Sequence, residues 1–170
     1  MSFAIKLSAA TRQLLQDAGW FPARRVSTLA PKDHPAEPIL AALSGLRVGQ
    51  TGRGETCARS DIAFFPLEHE PDDGIHEWSR LLGTVLVGLG EVHNAHGELW
   101  MASDGRCFGR SLVHKAFYFE GEDFADAIEG LLLGRRARPL IHPDEESVTL
   151  YGDRYTRAHP DIYDFTRRNG

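Results

Sequence analysis

Four apolar segments crowded between Thr84 and Phe119 set the strongest limit on how this chain can fold. Thr84–Leu89, Glu98–Ala102, Arg106–Phe108 and Leu112–Phe119 read as strands, parted only by glycine and Asx turn signals. Connections this short leave no room for the long crossovers of parallel pairing, so the strands must mostly pair antiparallel. The clearest helix of the sequence follows, because Phe124, Ala127, Ile128, Leu131 and Leu132 fall at i, i+3, i+4, i+7 and i+8. Glu120, Glu122 and Asp123 complement its positive end, and Arg135 and Arg136 beyond Gly134 complement its negative one.

Upstream, Leu7, Ala10, Leu14, Leu15 and Ala18 recur at helical spacing, with Ser8 as N-cap and Gly19 placed to end the helix. The stretch from Trp20 to Pro38 is rich in proline and predicts extended, irregular chain. A second helix is expected to start near Asp33 and Pro35, to bury Ile39, Leu40 and Leu43, and to stop at Gly45. Glycines break up residues 45–54, Ile62–Phe65 is a short candidate strand ended by Pro66, and a short helix is expected around Glu77–Leu82. After Pro139 the apolar period fades, which predicts a loosely docked tail with some order from Tyr151, Tyr155, Ile162, Tyr163 and Phe165.

The length of 170 residues and the 42% hydrophobic content suit one domain with one core. No secretory leader and no membrane-spanning stretch are recognisable, so a soluble, cytoplasmic protein is expected. Cys57 and Cys107 are far apart in sequence, and reduced thiols are the simpler reading. Acidic residues outnumber basic ones by 24 to 19, a field that mildly repels phosphate backbones and attracts basic proteins; direct nucleic-acid binding is not expected.

Signals for chemistry are weak. His93 with His96, joined by Cys107 or His114, supplies ligand types for a metal, yet no CxxC or HExxH spacing accompanies them, and no metal is expected. The glycines of residues 45–54 lack the Lys-Ser or Lys-Thr ending of a P-loop, and no GxSxG elbow occurs. Neither an enzyme nor a cofactor is therefore expected. The acidic segments carry the functional expectation instead. Glu68, Glu70, Asp72 and Asp73 concentrate negative charge on a segment read as an exposed loop, with Glu77 just beyond. Carboxylates clustered in this way can occupy a basic site and speed association with its owner, although a solvated charge run is the plainer alternative.

The phrase AGWFPARRV at Ala18–Val26 resembles the opening signature of the SUKH-3 group of the SUKH superfamily, which also holds the SMI1/KNR4-like proteins. Further similar stretches follow in the same order: LSGL at Leu43–Leu46, LLGTVLVG at Leu81–Gly88, LWMASDGRCF at Leu99–Phe108 and AIEGLLLG at Ala127–Gly134. The resemblance implies a single α+β domain over residues 1–138, a mainly antiparallel sheet of about five or six strands packed against helices, with 139–170 as a C-terminal extension. It also implies a bacterial immunity protein whose partner is a cognate secreted toxin, often a basic nuclease, bound without covalent chemistry. A scaffold or regulatory module of the SMI1/KNR4 type, binding an endogenous protein, is the alternative. Read physically, the matched residues are structural. Trp20 after Gly19 should fold back as an apolar anchor, Arg24 or Arg25 should hold a loop carbonyl or carboxylate, and Asp104-Gly105 should reverse a hairpin. Gly45, Gly83 and Gly134 mark element ends.

Overall fold

The computed structural model describes residues 6–68 and 74–168. Helix α1 (Ala9–Asp17) starts at Ser8, whose hydroxyl accepts the Thr11 N–H, and ends through Gly19, where φ is +104°. The Gly19 N–H reaches Gln16 O and the Trp20 N–H reaches Leu15 O, so the chain turns back and sinks the Trp20 indole into the core. Arg24 then donates to the carbonyls of Ala42 at 2.5 Å and Ser44 at 2.8 Å, while Arg25 pairs with Glu37 at 2.7 Å. These contacts fix α2 (Ala36–Leu43) and its exit at Gly45, whose N–H donates to Phe64 O. Helix α3 (Ile75–Leu82) ends at the left-handed Gly83, and α4 (Phe124–Leu133) runs from the Asp123 cap to the left-handed Gly134.

The main sheet has seven strands in the order β1 (Arg47–Val48), β4 (Ile62–Leu67), β5 (Leu86–Val92), β6 (Gly97–Ala102), β7 (Cys107–Ser111), β8 (Phe117–Gly121) and β9 (Arg138–Leu140). Every neighbouring pair is antiparallel. Two ribbons stand apart from it, β2 (Gly52–Arg53) with β3 (Ala58–Arg59), and β10 (Ser147–Leu150) with β11 (Asp153–Thr156). Strand β4 continues through Pro66, because the pairing with β5 shifts between Phe64 and Leu67 and releases the ladder position that proline cannot fill.

Helices cover both faces of the sheet, which is why Leu99–Ala102 of β6 is apolar on both sides. Leu99 and Met101 point into the core built by α1, α2 and α4, and Trp100 and Ala102 point into the core under α3. The hairpin from β6 to β7 turns on Asp104 and Gly105, where Asp104 also holds Arg106 at 2.7 Å.

Two expectations need correction. Leu112–Phe119 is not one strand: residues 112–116 form a turn and β8 starts at Phe117. The Ser111 N–H closes onto Ala116 O at 2.8 Å and Lys115 takes φ +52°, which turns the chain where two apolar residues had suggested continuation. The segment beyond Pro139 is also tied in more firmly than its fading period suggests. Leu140, Ile141, Val148, Leu150, Tyr155, Tyr163 and Phe165 are all buried. The Tyr163 ring stacks on Phe119 with centroids 4.2 Å apart, and its hydroxyl accepts from Arg106 at 2.9 Å. Long-range aromatic packing of this kind leaves no period in the sequence.

Candidate functional site

Strands β5 and β6 are joined by a turn of unusual backbone. His93, Asn94 and Ala95 take φ of +51°, +53° and +67°, a left-handed run without any glycine. Each such residue costs about 1–2 kcal/mol, so the surroundings must impose the shape. They do so from beneath: Ser60 Oγ accepts the His93 N–H at 2.9 Å and Asp61 Oδ1 accepts the Asn94 N–H at 2.8 Å. Both anchors are buried, and Asp61 Oδ2 is held by Arg47 at 2.6 Å. On the far side, His96 O accepts the Leu112 N–H at 2.9 Å, which locks the turn to the β7–β8 connection.

That connection displays Leu112 and Val113, 47% and 60% exposed, on a tip closed by the left-handed Lys115. A third turn, at Tyr151 (φ +55°) and Gly152 (φ +77°), joins β10 to β11. Among the described residues, His93, Asn94, Ala95, Lys115 and Tyr151 are the non-glycine residues with positive φ, and all of them sit in these three turns. Backbone strain concentrated around one place is a physical pointer to function.

The three turns enclose a cleft of about 250 Å³ whose walls include His93, His96, His114, Val113, Tyr118 and Tyr151. Across the Leu112–Val113 tip lies a second cleft of about 520 Å³, floored by Trp78 and Phe117 and reached by Gly74, Leu112 and Lys115. The Trp78 and Phe117 rings stack at 4.6 Å with planes 12° apart, which makes the floor rigid. Beside it Arg110 is locked to Glu98 at 2.7 Å.

The first cleft is electrically quiet. Burial, with the nearby Glu120, pushes the Tyr118 and Tyr151 phenols up, so both keep their protons, and Tyr151 Oη accepts the Ala137 N–H at 2.7 Å. Burial pulls His93 down against the attraction of Asp61, favouring the neutral imidazole. Glu120 behind the phenols is pushed up to about 8, by burial first and by Asp126 second. Cys57 is raised by burial and then by Glu120. These groups offer apolar walls, ring faces and neutral donors.

The sequence-derived candidates distribute as follows. Glu68 is exposed at the end of β4, and Glu77 is exposed in the first turn of α3, 3.1 Å from His142. Glu70, Asp72 and Asp73 lie outside the described residues. His93, His96 and His114 do share a cleft, but among the described residues their ligand atoms do not gather within 4.8 Å as a metal would require. Cys107 is fully buried in the core beneath the helices. The Leu112–Val113 tip escaped the sequence reading because a β-branched apolar pair signals strand; Ser111 and His114 were the available hint of a turn.

The model of the family described as SUKH-3 immunity protein matches residues 7–134. The chain belongs to the SUKH-3 immunity protein family. The SUKH-3 match covers the chain from the start of α1 to Gly134, and so includes the His93–His96 turn and the Leu112–Val113 tip. The third turn, at Tyr151, is contributed by the segment beyond the SUKH-3 match. Searches of curated proteins and of solved structures gave no match. Among the described residues, no helix is long and apolar enough to cross a membrane.

Proposed function

We propose that this SUKH-3 protein is an immunity protein that binds a cognate secreted bacterial toxin in the cytoplasm and holds it inactive by non-covalent contact. The observation that carries this reading is the match to the immunity family over residues 7–134. The exposed Leu112–Val113 tip supports it, since an apolar protrusion between two clefts, held by strained turns, suits insertion into a partner surface. In this reading the tip and the rims of the two clefts form the contact face.

The acidic stretch Glu68, Glu70, Asp72 and Asp73, with Glu77, runs in sequence into Gly74 at the edge of the larger cleft. Carboxylates there favour a basic partner, which fits a nuclease domain whose active site is lined with cations.

Co-expression with the toxin domain encoded next to its gene tests the proposal. The expected result is rescue of growth and a stoichiometric complex on size exclusion. No complex and no rescue with that domain would overturn it, and an isolated gene with housekeeping neighbours would favour the scaffold role.

A further inference from the structure

We propose that Glu77, His142 and Asp144 form a site for one divalent transition-metal ion of the zinc class, which pins the first turn of α3 to the segment after β9. The ligand atoms of these three side chains lie within 4.8 Å of one another. His142 Nε2 stands 3.1 Å from Glu77 Oε1. Two ligands on a tetrahedral ion with bonds of 2.0–2.1 Å are about 3.3 Å apart, so this pair is already near the required spacing.

A second observation points to a ligand. The Nε2 atom has no contact with solvent and no well-aligned hydrogen bond, so its 3.1 Å approach to the carboxylate is close in distance and poor in angle. Buried polar atoms are normally satisfied, and a metal ion is one of the partners that satisfies them. Asp144 Oδ2 is 3.8 Å from the other ring nitrogen, and with a side chain 88% exposed it is free to swing into the third corner.

Charge and ligand type select the ion. One imidazole with two carboxylates suits zinc and its borderline neighbours, whereas calcium and magnesium favour shells made of oxygen alone. On loading, Nε2 gives its lone pair to the ion and the ring N–H sits on Nδ1, so the hydrogen bond that Nδ1 now accepts from the Asp144 N–H at 3.2 Å is lost and Asp144 is released to turn toward the ion. Arg80, 3.6 Å from Glu77 Oε1, is the competitor that the ion displaces.

The ion also has a near neighbour with a signal. The His142 ring meets the Trp78 ring edge-on at 5.5 Å. Nickel or copper ions bound there should therefore quench Trp78 emission.

The test uses the full, tag-free chain with zinc chloride by calorimetry and with nickel chloride by fluorescence. One ion per chain is expected, with affinity at least about tenfold weaker in H142A and in E77Q, whose exposed position leaves folding intact. Asp144→Asn should weaken it too. Trp78→Phe should abolish the quenching and leave the zinc isotherm in place. No one-to-one isotherm, or one unchanged in both H142A and E77Q, overturns the proposal. So does binding that survives those changes and disappears in H114A, which would place the ion in the His93–His114 cleft.

Discussion

Asp61 Oδ1 accepts the Asn94 N–H at 2.8 Å, and through this bond a buried carboxylate holds a left-handed turn against its own backbone preference. The same carboxylate takes Arg47 with its other oxygen, so one side chain joins strand β1 to the β5–β6 turn. Ser60 beside it completes the support at His93.

Replacing Asp61 with alanine should therefore destabilise the fold by about 2–3 kcal/mol, as expected for losing charge-assisted hydrogen bonds from a buried position. Replacing the exposed Ala95 with glycine should act in the other direction. Glycine takes φ +67° without the steric penalty, and a gain of about 1 kcal/mol is expected. Urea unfolding of both variants checks the pair; a destabilising A95G would contradict the strain.

Glu120 predicts a pH dependence. Below pH 4.5, its ordinary value, the folded and unfolded chains both carry the proton. Between there and about 8 the unfolded chain releases it while the native state keeps it, so stability falls as pH rises and levels off above 8. At 1.36 kcal/mol per pH unit the contribution has a ceiling of about 5 kcal/mol, reduced because the side chain keeps partial contact with water. Glu120→Gln should flatten this slope in melting curves recorded from pH 5 to 9. An unchanged slope would place the titration elsewhere.

Gly54 and Gly134 touch backbone to backbone. A Cβ on Gly134 would stand 2.4 Å from Cys57 O and 2.7 Å from Gly54 Cα, in a backbone with φ +72°. Gly134→Ala should therefore cost about 3 kcal/mol or more, by prying the β2–β3 ribbon off the end of α4. Chemical denaturation measures it, and a loss under about 1 kcal/mol would show that the ribbon yields.

The fold was legible where local pattern and burial agree. The five-point apolar stripe of α4 and the double-sided apolar run Leu99–Ala102 in β6 both state their environment directly. The Leu112–Val113 tip was not, because its residue types favour a strand and only the bond from Ser111 to Ala116 makes it a turn. Nothing local marks His93, Asn94 and Ala95 as a left-handed run either, since their shape is imposed by Ser60 and Asp61, distant in sequence. Tyr163 and Phe165 lie in a short stretch broken by Asp164 with no apolar period, and their burial depends on Phe119, Trp78 and Arg106 far upstream. Among the described acidic candidates, Glu77 meets His142, a partner that no spacing rule could reveal.

The measurement that bears most directly on the proposed contact face is calorimetric titration of the neighbouring toxin domain with V113D and with a variant reversing Glu68, Glu70, Asp72 and Asp73. V113D, at an exposed turn, should fold normally and weaken binding at least about a hundredfold, as for a residue at the centre of an interface. The charge reversal, followed by stopped-flow mixing, should chiefly slow association and reduce its dependence on salt. Wild-type affinity in V113D would contradict the placement of the contact at the tip between the two clefts.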